Sequence, residues 1–348
     1  MERLNLSKLI FALLSLILLC GCWDIKAINE RSLPLVMGIS KKNDEKYQVT
    51  LTLPVTRVKG KTRIITEKGE SVSEVLGQLR SNVEDAIDYS QIRLILIDAP
   101  LAANHLEWRK MFHYLMSSKD IPSIALVAIT DENIEQMFSK MSKQGLSGTA
   151  LYDFFNKGAG WAPDVSSTRI WEVYQNLFSY TNDIAVPVVH SSEDTILKFK
   201  GSAVLKNGKV TAKISPSENQ LVRLFQHHHF IRSTENLGFA TILVVNSHLK
   251  NKPSITNHIP QVASDLFIKI SILERDEGVS NSLVIDELEK RIEKRFNDMF
   301  KQTQINKTDI FGFGQLFRTR IPYDDLHSWR DKYYPKLIVN FRVHATME

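Results

Sequence analysis

The segment Gln261–Leu273, QVASDLFIKISIL, decides the fold class because its residues alternate in character along the chain. One face carries Val262, Ser264, Leu266, Ile268, Ile270 and Ile272. Alternation with a period of two predicts a β-strand that buries one of its faces. Strands of all-parallel sheets are instead buried on both faces and read as short, continuous apolar runs. This segment therefore favours an antiparallel or mixed sheet.

Regular elements on both sides of this strand extend the pattern. Apolar residues at helical spacing predict a long helix over Asn281–Gln302, and alternation over Leu337–Ala345 predicts a last strand. Earlier in the chain, Asn207-Gly208 marks a hairpin turn, since both residues tolerate positive φ. Strands that occur in runs, with helices on one side, are typical of α+β folds. We therefore predict a multi-domain α+β chain with mixed or antiparallel sheets and packed helices.

The N-terminal half contains shorter strands and amphipathic helices. Strands are predicted at Val36–Ile39, Tyr47–Val55, Gln91–Ile97 and Ile124–Ile129. Ser71 and Glu74 form a capping box that predicts one helix, and Asp131 is expected to cap another. Residues 142–168 are rich in Gly, Ser and Lys and are predicted to be loop.

A polar stretch in the middle of the chain suggests how the domains divide. Thr181–Asp194 is polar enough to hold the main domain boundary. We predict that residues 22–193 form one or two α+β units and that residues 194–348 form a C-terminal α+β domain.

The first 21 residues have the parts of a bacterial signal peptide. Arg3 and Lys8 give a basic start, and Leu9–Leu19 is apolar apart from Ser15. This run is shorter than the roughly 20 apolar residues that span a bilayer. It fits the apolar region of a secretory signal instead. The sequence therefore predicts that residues 1–21 are cleaved from the protein.

The cleavage site has the order of a lipobox, Leu19-Cys20-Gly21-Cys22. Gly21 is small enough to enter a signal peptidase, and Cys22 would take a diacylglyceryl group at the new N-terminus. Two or three acyl chains anchor a protein stably, whereas one chain is marginal. We therefore predict Cys22 as the lipidation site and expect the protein to lie on the outer face of a membrane.

Cysteine content and charge exclude several classes of function. Cys20 would leave with the signal and Cys22 would be acylated, so the mature chain would offer no disulfide, thiol nucleophile or Cys-based metal site. The formal net charge of +5 is mild and does not argue for nucleic-acid binding. Apolar residues at 43% and charged residues at 24% are ordinary values for a globular protein.

No motif in the sequence indicates an enzyme. The GxSxG elbow and the GxxxxGK[ST] loop are absent. His227-His228-His229 lacks metal-site spacing, because consecutive helical residues point about 100° apart. We therefore predict no catalytic residue, no metal ligand and no cofactor.

Phe311-Gly312-Phe313-Gly314 looks at first like a phosphate-binding loop. It lacks a third glycine and follows polar residues instead of a strand. We interpret Gly312 and Gly314 as a close-packing site between helices. Asp309 is expected to cap the turn that follows.

The chain resembles the Ger(x)C family, the lipoprotein C subunits of nutrient germinant receptors in endospore-forming bacteria. The resemblance rests on Gly21-Cys22-Trp23-Asp24, on Gly201-Ser202-Ala203-Val204, and on Thr308–Gly314 followed by Trp329. These segments occur in the family's order and at its overall length. One departure is that tryptophans common after the Gly-Ser strand are replaced here by Leu221, Leu224, Phe225 and the His cluster.

The resemblance implies a non-enzymatic receptor subunit built of three α+β units. It would lie on the outer face of the spore's inner membrane, beside a multi-span A subunit and a transporter-like B subunit, and would be needed for the response to small nutrients. It implies partner contacts or structural roles for Trp23, Asp24, Gly201, Asp309, Gly312 and Gly314.

Two other classes of function remain as alternatives. A substrate-binding lipoprotein of an ABC importer would have two doubly wound lobes with short parallel strands, unlike Gln261–Leu273. A cell-wall hydrolase would need a positioned acid–base pair, which the sequence does not indicate.

Overall fold

The computed structural model describes residues 31–41, 46–54, 62–144, 148–155, 165, 167–195, 197–227 and 233–348. The strands are β1 (Arg31–Ser32), β2 (Val36–Ser40), β3 (Tyr47–Pro54), β4 (Thr62–Gly69), β5 (Ala86–Ile87), β6 (Leu94–Asp98), β7 (Leu126–Thr130), β8 (Ile184–Ser191), β9 (Leu197–Lys206), β10 (Lys209–Ile214), β11 (Ser233–Asn236), β12 (Ala240–Thr256), β13 (Ile259–Arg275) and β14 (Ile338–Met347). The helices are α1 (Val72–Asn82), α2 (Ala99–Ala103), α3 (His105–Ser117), α4 (Ile134–Lys143), α5 (Gly148–Phe155), α6 (Ile170–Phe178), α7 (Pro216–His227), α8 (Asn281–Ile305), α9 (Phe313–Leu316) and α10 (Tyr323–Leu326). Single turns of 3₁₀ or π-helix occupy Tyr89–Gln91, Trp329–Tyr333 and Tyr334–Lys336.

An eight-stranded mixed sheet dominates the N-terminal part of the fold. Its strand order is β10-β9-β8-β7-β6-β2-β3-β4. The central strands β2, β6, β7 and β8 are mutually parallel, whereas both edges are antiparallel. The central strands β6 and β7 are short and buried along their whole length, as parallel strands covered on both faces should be.

Helices cover both faces of this large sheet. On β6, Ile95 and Ile97 face one core with α1, α3 and α6, while Leu94 and Leu96 face a second core with α4 and α5. The sequence predicted helices on one side only, which is wrong for this sheet. Crossover connections between its parallel strands place helices on each face.

A four-stranded sheet forms the C-terminal part, in the order β11-β12-β13-β14. β12 and β13 are an antiparallel pair of 17 residues each, and β14 lies parallel to β13. The helix α8 buries one face of this sheet through Val284, Leu288, Ile292 and Phe296, while Phe267 on the other face is exposed. The mixed α+β class predicted from Gln261–Leu273 is confirmed.

Two local predictions in the N-terminal half differ from the structure. The helix expected to start at Asp131 is capped by Asn133, whose Oδ1 accepts the Gln136 N–H at 2.9 Å. An Asn side chain caps as well as an Asp, so sequence alone did not choose between the two. The predicted loop at 142–168 contains the helix α5.

The polar stretch Thr181–Asp194 contains a strand, β8, which the sequence analysis did not predict. Its polar flanks hide a core of apolar residues, among which Ala185, Val186 and Val189 are buried. β8 and β9 are hydrogen-bonded neighbours, so the large sheet continues across the boundary predicted between residues 193 and 194. The division into 22–193 and 194–348 therefore stays a prediction.

Candidate functional site

Several residues singled out in the sequence lie outside the described part of the chain. Gly21, Cys22, Trp23 and Asp24 precede residue 31, the first that the structure describes. His228 and His229 fall in the gap between 227 and 233. Their roles stay predictions.

Asp309 lies at the centre of a buried polar cluster that begins the turn before α9. Its side chain is fully buried. Oδ1 accepts the backbone N–H of Phe313 at 2.9 Å, and Oδ2 accepts the N–H of Gly314 at 2.7 Å. The indole Nε1 of Trp329 donates to the same Oδ2 at 2.8 Å. The carboxylate thus caps the short helix and orients the indole ring.

Asp183, which lies just before β8, completes this cluster from the opposite side. The backbone N–H of Asp309 donates to Asp183 Oδ2 at 2.7 Å, and the Asp183 N–H donates to the Asp309 carbonyl at 2.9 Å. The guanidinium of Arg330 binds both Asp183 oxygens, at 2.6 Å from Nη2 and 3.2 Å from Nε. Arg330 also donates to the carbonyl oxygen of Asn182 at 3.0 Å. Four chain segments therefore meet at one buried point.

Burial dominates the electrostatics of the two carboxyl groups. It raises the pKa of Asp309 to about 7, and the charge of Asp183 adds to this effect, while the N–H donors of Gly314, Trp329 and Phe313 oppose it. Burial also raises the pKa of Asp183, where the ion pair with Arg330 opposes it. Asp309 therefore lacks the cation that Asp183 has within this cluster.

Gly312 and Gly314 allow the turn to fit into this space. Gly312 has φ +73°, a left-handed conformation that favours glycine. A Cβ on Gly314 would lie 2.7 Å from the carbonyl oxygen of Thr181 and 2.7 Å from Nε1 of Trp329. The expected close packing is therefore present, but it is against a strand-end backbone and an indole instead of a second helix.

Gly201 serves a different contact and does not join the cluster. It lies on β9 with φ +104°, and a Cβ there would lie 2.0 Å from the carbonyl oxygen of Ile214 on β10. The next residue, Ser202, donates its hydroxyl to Oδ1 of Asn219 at the start of α7. This segment fixes the packing of α7 on the large sheet.

A cleft of about 320 Å³ lies between α6 and the turn that Asp309 caps. Amide side chains are prominent in its lining: Gln175, Asn176, Asn182, Gln226, Asn251 and Gln315. Glu172 also lines it, and its Oε2 accepts the Arg169 N–H at 2.7 Å at the start of α6. A molecule in this cleft would touch both the N-terminal and the C-terminal parts of the chain.

An exposed aromatic patch lies beside the cleft, formed by α3, α6 and α10. We define it as Met116, Trp171, Tyr174, Phe178, Tyr180 and Tyr323, which line one shallow depression together with polar neighbours. Tyr323 is 79% exposed and Phe178 is 53% exposed. Large apolar side chains clustered at a surface mark contact sites more often than scattered ones do.

Sequence reasoning missed Asp183 and Arg330, the buried ion pair of the cluster. They are separated by 147 positions, and neither is part of a local motif. Asp309 could be predicted because its capping bonds are local. The only signal for Asp183 was its position directly before a run of apolar residues, which gives no indication of its partner.

Within the described ranges, two further features bear on the predictions. No group of three or more His, Cys, Asp or Glu side chains there is arranged to hold a metal ion. No helix in the same ranges has the length and apolar character needed to cross a bilayer.

Two family models match consecutive parts of this chain. The Spore germination protein N-terminal domain matches residues 24–191, and the Spore germination B3/GerAC like, C-terminal model matches residues 200–348. The chain belongs to the Ger(x)C family. Asp183 lies within the first of these segments, and Asp309 and Arg330 lie within the second. The buried cluster thus joins the two domains by which the Ger(x)C family is defined.

Individual relatives agree with this assignment. Spore germination protein GerQC of Bacillus cereus is 22% identical, over 98% of this chain and 97% of that protein. Spore germination protein B3 of Bacillus subtilis (strain 168) is 24% identical, over 85% of this chain and 83% of that protein. The crystal structure of the GerBC protein is similar in fold, with a TM-score of 0.53 and 16% identity over 89% of this chain and 96% of that one.

Family membership decides between the classes of function weighed above. Ger(x)C proteins are C subunits of germination receptors, and the family is not a known family of enzymes. The resemblance stated from the sequence is confirmed. The alternative of an ABC-importer lipoprotein has no support from these comparisons.

Proposed function

We propose that this Ger(x)C protein is the lipid-anchored C subunit of a nutrient germinant receptor, and that it acts by contact with the membrane-embedded A and B subunits. It would be needed for the response of the spore to small nutrients, and it would act without catalysis. The observation that carries this proposal is the match of both family models, in order, along one chain.

The anchor in this proposal is Cys22. The apolar run Leu9–Leu19 and the small residue Gly21 directly before Cys22 support lipidation at that thiol. Anchoring raises the effective concentration of the subunit near its partners, so modest affinities suffice for assembly. The proposed location is the outer face of the spore's inner membrane.

Trp23 and Asp24 follow the anchor directly and are proposed to contribute beyond a plain spacer. An indole suits the headgroup level of a membrane, because it has an apolar body and one N–H donor. Replacing both residues with Ser should impair germination and leave lipidation intact. Unchanged germination kinetics at equal protein level would reduce them to a spacer.

A deletion and complementation experiment tests the proposal. Deleting the gene should abolish or slow germination through one receptor and spare the response through others. Wild-type protein should restore the response, whereas Cys22→Ala should not, because that variant lacks an acyl acceptor. The matched control is Cys20→Ala, which changes a cysteine that the proposed cleavage removes and should restore germination fully.

Two outcomes would contradict the proposal. One is an unchanged response in the deletion strain when related receptors are also absent. The other is Cys22→Ala protein that is retained on spore membranes at its mature mass.

A further inference from the structure

We propose that the aromatic patch seats on an anionic lipid surface and thereby sets the orientation of the folded body on the membrane. The inference rests on the proposed function only for the presence of the anchor at Cys22. It adds a second, reversible contact with the membrane on a defined face of the protein.

The composition of the patch fits a lipid headgroup layer. Trp171 is 38% exposed, Tyr180 49%, Phe178 53% and Tyr323 79%. Trp, Tyr and Phe side chains with apolar bodies and polar tips prefer the membrane–water interface. Four such side chains exposed around one depression are more than isolated surface residues would produce.

Basic side chains touch the aromatic rings from the rim. The guanidinium of Arg109 lies over the ring of Phe178, 5.6 Å from its centroid, and Arg318 lines the depression. His327 contacts the Tyr180 ring edge-on at 6.4 Å between centroids. Long basic side chains of this kind can lay their apolar stems along the rings and keep their charge at headgroup level.

The charge of the patch selects one kind of surface. Among the described residues that line the depression, none is acidic, and Arg318 is charged at neutral pH. His113 approaches the patch through its contact with Tyr174, at 6.1 Å between ring centroids. Anionic lipids attract basic groups near the membrane surface, and this attraction decays within a Debye length. The complementary surface is therefore a negatively charged lipid headgroup layer.

Covalent geometry keeps the folded body close to that surface. Nine residues separate Cys22 from Arg31, the first described residue. A chain spans at most about 3.3–3.6 Å per residue, so this connection reaches roughly 30 Å at full extension. A body held at this distance can bring a face against the bilayer without any further tether.

The test measures the depth of two patch positions in a bilayer. The mature lipoprotein is placed in nanodiscs that contain an anionic phospholipid, with a nitroxide attached to Phe178→Cys or Tyr323→Cys. Because Cys22 is acylated, the introduced thiol is the one that reacts. Power saturation then compares collisions with oxygen, which concentrates in lipid, and with a water-soluble nickel complex. The matched control is Leu273→Cys, an exposed apolar position at the end of β13.

We expect labels at 178 and 323 to collide several-fold less with nickel than the control label, and more with oxygen. Arg109→Glu together with Arg318→Glu should return both labels to aqueous values, as should nanodiscs of zwitterionic lipid alone. Thermal melting of each variant checks that the fold is retained.

Two results would overturn the proposal. Labels at 178 and 323 that collide with nickel as often as the control label show a free surface. Labels that lose collisions with both reagents show a protein neighbour, such as a second copy of the chain. The nanodiscs hold no receptor partner, so either result leaves the proposed function standing, whereas protein absent from the nanodiscs would count against the anchor.

Discussion

The backbone N–H of Asp309 donates a hydrogen bond of 2.7 Å to Oδ2 of Asp183, across 126 positions of sequence. The Asp183 N–H returns a bond of 2.9 Å to the Asp309 carbonyl. This reciprocal pair ties the strand β8 of the large sheet to the turn that precedes α9. The two parts of the chain are therefore held together by a fixed polar contact in addition to their apolar cores.

Replacing Asp309 with Ala should destabilise the protein by more than an ordinary cap substitution does. Three buried N–H groups, on Phe313, Gly314 and Trp329, would lose their acceptor. A cap alone is worth about 0.5–2 kcal/mol, and hydrogen bonds to a charged group about 1.5–3 kcal/mol each. We expect a loss of about 3 kcal/mol or more in urea unfolding of a fragment comprising residues 23–348.

The control for this measurement is Asp298→Ala, which removes an exposed carboxylate from α8. It should change the free energy of unfolding by no more than about 0.5 kcal/mol. An Asp309→Ala loss as small as that of the control would contradict the role assigned to the cluster.

Replacing Arg330 with Met should leave the Asp183 carboxylate buried without its cation. Removing one partner of a buried ion pair costs about 3–5 kcal/mol. Adding Asp183→Asn to Arg330→Met should recover part of this loss, since the second change removes the uncompensated charge. Lys332→Met, two positions away and exposed, is the matched control. If the double variant were less stable than the sum of the single losses implies, the pair would not be coupled as the geometry indicates.

The stability of the protein should depend on pH through Asp309. Burial raises the pKa of its carboxyl to about 7 from an ordinary 3.8. Between these values the folded state keeps a proton that the unfolded state has released, so this group's contribution to stability falls as pH rises. Asp309→Asn has no such proton. The difference in free energy of unfolding between wild type and Asp309→Asn should therefore shrink from pH 4 to pH 7 and level off above it. A difference that stays constant over this range would refute the proton assignment.

Gly314→Ala should destabilise the protein, because the added methyl group would lie 2.7 Å from the carbonyl oxygen of Thr181. That oxygen is backbone and cannot rotate away. The matched control is Gly77→Ala in α1, where a Cβ would have no neighbour within 4 Å. Gly77→Ala should stabilise the helix by up to about 1 kcal/mol. Thermal melts that shift in the same direction for both variants would be inconsistent with close packing at Gly314.

The sequence predicted elements whose pattern is local and periodic. Gln261–Leu273 and the helix from Asn281 were found because alternation and helical spacing are visible within one segment. β8 was missed because its apolar core is short and lies between polar residues. The parallel pairing of β14 with β13 was missed as well, since register between distant strands leaves no local signal.

The site divides in the same way. Asp309 and Gly314 were predicted because capping and close packing act within a few residues of each other. Arg330 and Asp183 meet only through the tertiary fold, so neither could be assigned a partner from the sequence. The aromatic patch was also invisible, since α3, α6 and α10 contribute to it from three separate segments.

Affinity purification from spore inner membranes tests the central claim most directly. The tagged, full-length chain is isolated under mild detergent, and co-purifying membrane proteins are quantified by mass spectrometry. The account predicts a multi-span A subunit and a transporter-like B subunit in amounts comparable to the chain, both lost with Cys22→Ala. Recovery of importer permeases, or of neither receptor subunit from membranes that contain both, would contradict it.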